Sequence, residues 1–194
     1  LIDCDCLQRK CEQSGKQRQQ TQYGYGNRQF ENTDSLFLKK RRVIDKGNTE
    51  VVAEYIKEMT GADVFRIMPD KEYEKIQDYD ELVELTRIEH ENDERPTFNG
   101  KINDIGKYDT IFIGSPIWWY TFPQVMYTFL DSYDLNGKTI IPFTTHEGSG
   151  LADVVEVLRK YYPNATVAEG LAIRGRDAVK SKEKVVRWLE KTGF

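Results

Sequence analysis

Residues 108–114 read Tyr-Asp-Thr-Ile-Phe-Ile-Gly, a run that stops alternating between polar and apolar once Thr110 is passed. A strand with one wet face alternates. A nearly continuous apolar strand is covered on both faces, which is the habit of a parallel sheet flanked by helices. The chain from Gly47 onward keeps to that grammar. Residues 48–59 place Val51, Val52, Tyr55, Ile56 and Met59 on one helical face, and Gly61 is a good stop. Residues 62–67 are strand-like, and 72–93 are polar with short helical pieces around 79–90. Residues 122–133 read as a helix with Pro123 tolerated in its first turn. Residues 138–143 form the next strand, 150–161 an amphipathic helix, and 165–168 with 171–173 a last, broken strand. Residues 177–191 close the chain as a helix. Such alternation predicts an α/β three-layer sandwich with right-handed crossovers.

The first 34 residues follow a different grammar. They are rich in Gln, Asn, Gly and charge, without apolar periodicity, and such a segment cannot bury enough surface to offset the entropy of ordering it. The expected organisation is therefore a disordered or non-native tail over 1–34 and one domain over 35–194. All three cysteines, Cys4, Cys6 and Cys11, fall in that tail. A disulfide framework for the domain is excluded, and Cys-x-Cys-x4-Cys with no nearby His is a weak metal pattern. The net charge of −4 gives no basic footprint for nucleic acid, and no apolar run reaches the roughly 18 residues of a membrane span. The composition points to a cytoplasmic protein with no nucleic-acid or membrane partner.

In a parallel sheet of this kind a ligand lies beyond the carboxyl ends of the strands, so the post-strand loops carry the information. Gly47-Asn48-Thr49 opens the first helix, where unpaired amides and the positive dipole end suit a phosphate; simple N-capping by Asn48 or Thr49 is the bland alternative. Pro116-Ile117-Trp118-Trp119-Tyr120 follows the strongest strand with three aromatic rings, on which a planar ligand could stack; one tryptophan is expected merely to pad the helix behind. Thr145-His146-Glu147-Gly148 offers small, polar groups to border a heterocycle. His146 and Glu147 are the acid–base candidates in these loops, although a lone His more often serves as a hydrogen-bonding residue. No P-loop, no Gly-x-Gly-x-x-Gly after a strand and no Gly-x-Ser-x-Gly elbow is present.

Taken together, GNTEVVAEYIKEMTGADVF, YDTIFIGSPIWW and GKTIIPFTTHEGSG resemble the flavodoxin family, in particular its branch with a Pro-x-Trp-Trp loop, over about residues 47–194. The resemblance implies a flavodoxin-like fold with strand order 2-1-3-4-5 and an FMN site at its carboxyl edge. It implies that Gly47, Asn48 and Thr49 hold the phosphate. Pro116 to Tyr120 would border the isoalloxazine, with Trp118 or Trp119 nearest, and Thr145 to Gly148 would line the other side. Glu147 close to the ring would lower the flavin's potential. The implied activity is electron transfer, by a carrier or by a small FMN-dependent oxidoreductase, with a redox partner protein or a quinone-like molecule as the other reactant. No catalytic residue and no metal ligand is implied.

The family opens with a hydrophobic strand ending in a Ser/Thr-rich phosphate loop. Here Lys39-Lys40-Arg41-Arg42-Val43-Ile44-Asp45-Lys46 precedes Gly47, and Ile44 and Lys46 stand where hydroxyl residues are usual. Four consecutive charges cannot occupy a central strand covered on both faces, so strand 1 is degraded or replaced. A short strand at 35–38, a distant segment such as 1–7, or a non-native first stretch of about 46 residues would each account for it. The abrupt change at Gly47 favours the last and makes the second the least expected. A flavin-free interaction module with a defective phosphate loop is the alternative function. A nucleic-acid or membrane contact by Lys39 to Arg42 is the weakest reading, since such runs are usually solvated.

Overall fold

A computed structural model describes residues 2–4, 46–76 and 78–194. The strands are β1 (Ile2–Cys4), β2 (Phe65–Pro69), β3 (Phe98–Asn99), β4 (Thr110–Pro116), β5 (Thr139–His146), β6 (Thr166–Val167) and β7 (Leu171–Arg174). The α-helices are α1 (Asn48–Thr60), α2 (Tyr79–Glu91), α3 (Gln124–Ser132), α4 (Val154–Tyr161) and α5 (Lys182–Thr192). The described strands form one sheet in the order β3-β2-β1-β4-β5-β6, with β7 also paired to β5. β6 takes the first half of the β5 edge and β7 the second. The two are one strand, interrupted around Gly170, where the chain comes close to Leu151 and Pro142. The parallel core is therefore the expected 2-1-3-4-5 sheet, and antiparallel β3 extends it beside β2.

The central strand corrects the sequence reading. Ile2–Cys4, assigned above to a disordered or non-native tail, pairs in parallel with Phe65–Ile67 on one side and with Ile113 and Gly114 on the other. A replacement for strand 1 from the distant first residues, the least expected of the three origins, is the one observed. Three residues leave no periodicity to read, and only pairing with strands far along the chain defines them. The remaining residues of 1–34, the 35–38 segment, the basic run 39–42 and the phosphate-loop position Ile44 lie outside the described residues.

The core strands show why they read as unbroken apolar runs. Ile111, Ile113 and Ile140 pack against α3 and α4 through Val125, Met126, Phe129, Val154 and Leu158. Phe112, Ile141, Phe143 and Ile173 face α1 and α5, meeting Val52, Ala53, Ile56, Val185, Trp188 and Leu189. Alternate side chains along each strand enter opposite layers, and both layers are dry.

Some helix boundaries move. The polar stretch holds a continuous 13-residue helix, α2, whose N-cap Asp78 accepts from the amides of Asp80 and Glu81 at 2.8 and 3.0 Å. Pro123 is the N-cap of α3 instead of a first-turn residue. A 3₁₀ turn, Gly175–Lys180, precedes α5.

β4 and β5 are in register from Thr110 opposite Thr139 to Pro116 opposite Thr145. Gly114 in β4 is what lets the fully buried Phe143 lie across the pair, because a Cβ there would stand 2.0 Å from the Phe143 ring. Gly114→Ala is expected to destabilise the domain by about 2 kcal/mol or more through forced repacking. Urea unfolding checks this, and an unchanged midpoint would show that Phe143 can turn away freely.

Candidate functional site

The register of β4 and β5 delivers two of the three loops to one place. Pro116 ends β4 beside Thr145, and the Ile117 amide donates to the Thr145 carbonyl at 3.0 Å. The third loop is tied to the same point. Thr49, at the start of α1, shares a 2.6 Å hydrogen bond between its hydroxyl and that of Thr145, both side chains fully buried. Gly47, Asn48, Thr49, Pro116, Ile117 and Thr145 thus share one corner of the carboxyl edge. His146 closes β5, and Glu147 and Gly148 are exposed in the turn beyond it.

The N-terminus of α1 is open. Its N-cap is Gly47, which has no side chain to offer, and the Glu50 carboxylate folds back to accept from the Gly47 amide at 3.3 Å. A helix start leaves its first-turn amides without intrahelical partners. Asn48 is buried beside them, so it is not the cap that the bland reading required.

The aromatic loop is a strained two-residue turn. Trp118 and Thr121 form a bridge, the Trp118 amide donating to Thr121 at 3.0 Å and the Thr121 amide returning at 2.9 Å. Trp119 and Tyr120, at its centre, both have positive φ, 51° and 63°, the geometry in which Asn-Gly is usual and bulky residues are unfavourable. Tyr73, ahead of α2, and α2 itself hold the turn in place. Trp118 stands edge-on to Tyr73 with centroids 6.0 Å apart. The Trp119 indole N–H donates to Thr86 at 3.3 Å and its ring stacks on His90. Both tryptophans are therefore engaged on the α2 side, whereas Tyr120 is 64% exposed and uses only its carbonyl, which accepts from the Asp153 amide.

Beneath Tyr73 lies a buried carboxylate that sequence reasoning passed over. Glu89 of α2 is 1% exposed. It accepts from the Tyr73 hydroxyl with both oxygens at 3.0 Å and from Lys71 at 2.6 Å. A buried charge persists only when so paired, and its partners fix Tyr73 and hence Trp118. The spacing Lys71, Tyr73, Glu89 gave no signal, because the three meet only when α2 docks.

A second omission is Gly175, which follows the last strand much as Gly47 precedes the first described helix. A Cβ built on this buried glycine would stand 2.6 Å from Glu147 Oε1 and 2.7 Å from Asn48 Nδ2. The corner after β7 is thus a fourth wall of the site, and a glycine just after a strand was the clue available.

His146 is half-buried with its Nδ1 fully buried and without a hydrogen-bond partner among the described residues. Burial, then the charges of Arg174 and Lys184, push its pKa below the ordinary value.

The sequence matches the sequence model of the flavodoxin family over residues 43–192. The chain belongs to the flavodoxin family. A candidate flavoprotein from Bacteroides eggerthii is similar at 30% identity, with 77% of this chain and 92% of that one covered and a TM-score of 0.66. A candidate flavoprotein from Bacteroides uniformis is also 30% identical, over 73% of this chain and 90% of that one, at a TM-score of 0.64. A flavoprotein of Lactobacillus acidophilus solved in complex with FMN is 20% identical over 70% of this chain and 90% of that one, at a TM-score of 0.53; at that distance the likeness is one of fold. A search of curated proteins returns no match. Among the described residues no helix is long and apolar enough to cross a membrane.

Two outcomes follow from this flavodoxin corner. The imidazole binds a proton less readily when folded, so acidification through the ordinary His range costs stability and the cost vanishes above it. An NMR titration of His146 should give a midpoint below about 6.5, and His146→Gln should flatten the stability loss between about pH 6.5 and 5. Tyr120→Gly should raise stability by roughly 0.5–1 kcal/mol, since it relieves a positive φ and removes little packing. Thermal unfolding reads the sign, and a fall would mean that the Tyr120 ring packs more firmly than its exposure indicates.

Proposed function

We propose that this flavodoxin-family chain binds FMN and serves as a redox protein, either an electron carrier or a small FMN-dependent oxidoreductase. The observation that carries the reading is the knot at Thr145. Its hydroxyl meets Thr49 of the α1 loop and its carbonyl meets the amide of Ile117 in the aromatic loop. Three loops whose residue types suit a phosphate, a planar ring and a polar heterocycle edge are thereby fixed at one corner of the sheet, where such folds place ligands.

The residues fit the group on this structure's own terms. A helix N-terminus with a glycine N-cap and no side-chain cap, and the unpartnered Nδ1 of His146, leave polar capacity at this edge that the described protein does not use itself. Gly47, Asn48 and Thr49 would hold the phosphate through backbone amides and the dipole end of α1. Pro116, Ile117 and the Trp118–Tyr120 turn would border the ring on one side, and Thr145, His146, Glu147 and Gly148 on the other. FMN, when bound, supplies the electron-transfer chemistry. The protein's part is to orient it, to exclude water with the buried ends of β4 and β5, and to set the local charge. Because Trp118 is engaged with Tyr73 and Trp119 with α2, Tyr120 is the aromatic side chain freest to cover the ring, and the strain in its turn is the kind held at ligand clamps.

The reaction partner is a redox protein or a quinone-like small molecule. Reduction of the flavin by NADPH without a partner protein would identify the oxidoreductase, and its absence the carrier. Titration of the purified apo-protein with FMN, read by flavin fluorescence and the visible spectrum, tests the cofactor. Saturable quenching with a perturbed spectrum is expected, weakened at least threefold in Tyr120→Gly. A folded protein that leaves flavin fluorescence unchanged would overturn the reading in favour of a flavin-free interaction module.

A further inference from the structure

One face of α2 holds both tryptophans of the aromatic turn, the second directly and the first through Tyr73. Thr86 and Glu89, three positions apart on the helix, are its two buried residues. Thr86 accepts from the Trp119 indole at 3.3 Å, and His90 stacks on the same ring. Glu89 acts one step further away. Both its oxygens accept from the Tyr73 hydroxyl at 3.0 Å, and the Tyr73 ring stands at 90° to that of Trp118. Tyr73 opens a short 3₁₀ turn, Tyr73–Lys75, in the segment that follows β2.

The grip on Tyr73 needs a carboxylate. Glu89 is 1% exposed and Tyr73 3%, and Lys71 donates to the same carboxylate at 2.6 Å and to Glu94 at 3.2 Å. Two donors share two oxygens there, and a neutral amide would exchange one of those acceptors for a donor. The helix is in turn fastened to the element beyond the turn. Gln124, the first residue of α3, donates to the carbonyls of Glu89 and His90 at 3.2 and 3.3 Å. The turn thus lies between the anchored start of α3 and the Tyr73 ring. Trp119 and Tyr120 sit in it with positive φ, and such a conformation persists only where its surroundings hold it.

We propose that Glu89 is a positioning residue for the cofactor ring: by fixing Tyr73 it sets Trp118, and with Trp118 the shape of the turn that borders the isoalloxazine. The proposal rests on the FMN reading above and adds to it a carboxylate that, being buried, acts through another side chain. FMN and riboflavin share the ring and differ in the phosphate. Loosening a ring-bordering turn therefore weakens both by the same factor.

Two variants of the full chain test this. Tyr73→Phe removes the hydroxyl and keeps a ring against Trp118, whereas Glu89→Gln keeps the volume and removes the charge. Dissociation constants for FMN and riboflavin are measured beside the fluorine NMR spectrum of the flavin-free chain labelled with fluorotryptophan. Each variant is expected to shift the Trp118 resonance and to leave that of Trp188, which packs against Phe112 in the opposite layer. Each should weaken both flavins alike by roughly three- to tenfold. The double variant should bind within about twofold of the weaker single one, as two residues acting through one contact do. An unmoved Trp118 resonance in both variants would overturn the proposal. So would flavin affinities within about twofold of wild type in chains of lowered stability, the behaviour of a merely structural carboxylate. A loss confined to FMN would put the effect at the phosphate and overturn it as well. If Glu89→Gln does not fold, Tyr73→Phe decides by the same two readings. A folded wild type that binds neither flavin brings down the FMN reading and the proposal with it, whatever the Trp118 resonance does.

Discussion

The parallel pairing of β4 with β5 is the constraint on which the rest of the molecule depends. Seven consecutive residues of β4 are matched to β5, from Thr110 opposite Thr139 to Pro116 opposite Thr145. A shift of β4 by one residue would exchange Ile111 and Ile113 with Phe112, leaving the ring of Phe112 on the side built for α3 and α4. The same shift would carry Pro116 away from Thr145 and break the knot that gathers the loops. Core packing and site geometry are therefore set by one register. Gly114 is its most sensitive element, since only a residue without Cβ lets Phe143 cross the pair.

Around that pair the strands differ in how much of them could be read. β4 and β5 announced themselves as apolar runs because each is covered on both faces and needs no alternation, whereas the broken β6–β7 strand, at the sheet edge, is only partly buried. β1 did not. Three residues, Ile2-Asp3-Cys4, are separated from α1 by more than forty, and their role comes from Phe65–Ile67 and Ile113–Gly114 on either side. Local pattern cannot report a pairing whose partners lie 63 and 111 residues away along the chain. Helix α2 was legible only as short helical pieces around 79–90, for another reason. Its inward residues include Thr86 and Glu89, so it reads as polar, and it docks through hydrogen bonds where α3 uses methyl groups.

The site shows the same division. Each of its three loops was visible as a cluster of residue types directly after a strand or before a helix, and the fold brings all three to one edge. What the sequence could not show is how each side chain is engaged. Three adjacent aromatic residues look equivalent in sequence; in the fold Trp118 is wedged on Tyr73, Trp119 is bonded to Thr86, and Tyr120 is left outward. The difference arises from a turn with positive φ at two bulky residues, a choice local propensity opposes. Departures of this kind, where local preference yields to tertiary contacts, concentrate at functional sites.

The distribution of charge at the α1 terminus follows the same logic. A helix end attracts an anion whether or not one was intended, and the family's hydroxyl donors are missing at Ile44 and Lys46. Among the described residues, the start of α1 offers backbone amides and the buried Asn48, whose Nδ2 and Glu147 Oε1 both approach the point where a Cβ on Gly175 would stand. Asn48 and Glu147 are separated by 99 positions in sequence and converge only because β5 and α1 share a layer and Gly175 leaves room between them. Each of the three is unremarkable alone: a helix-start residue, an exposed acid and a glycine after a strand. Their contacts exist only in the packed state, so each loop read by itself shows its residue types and not what they touch.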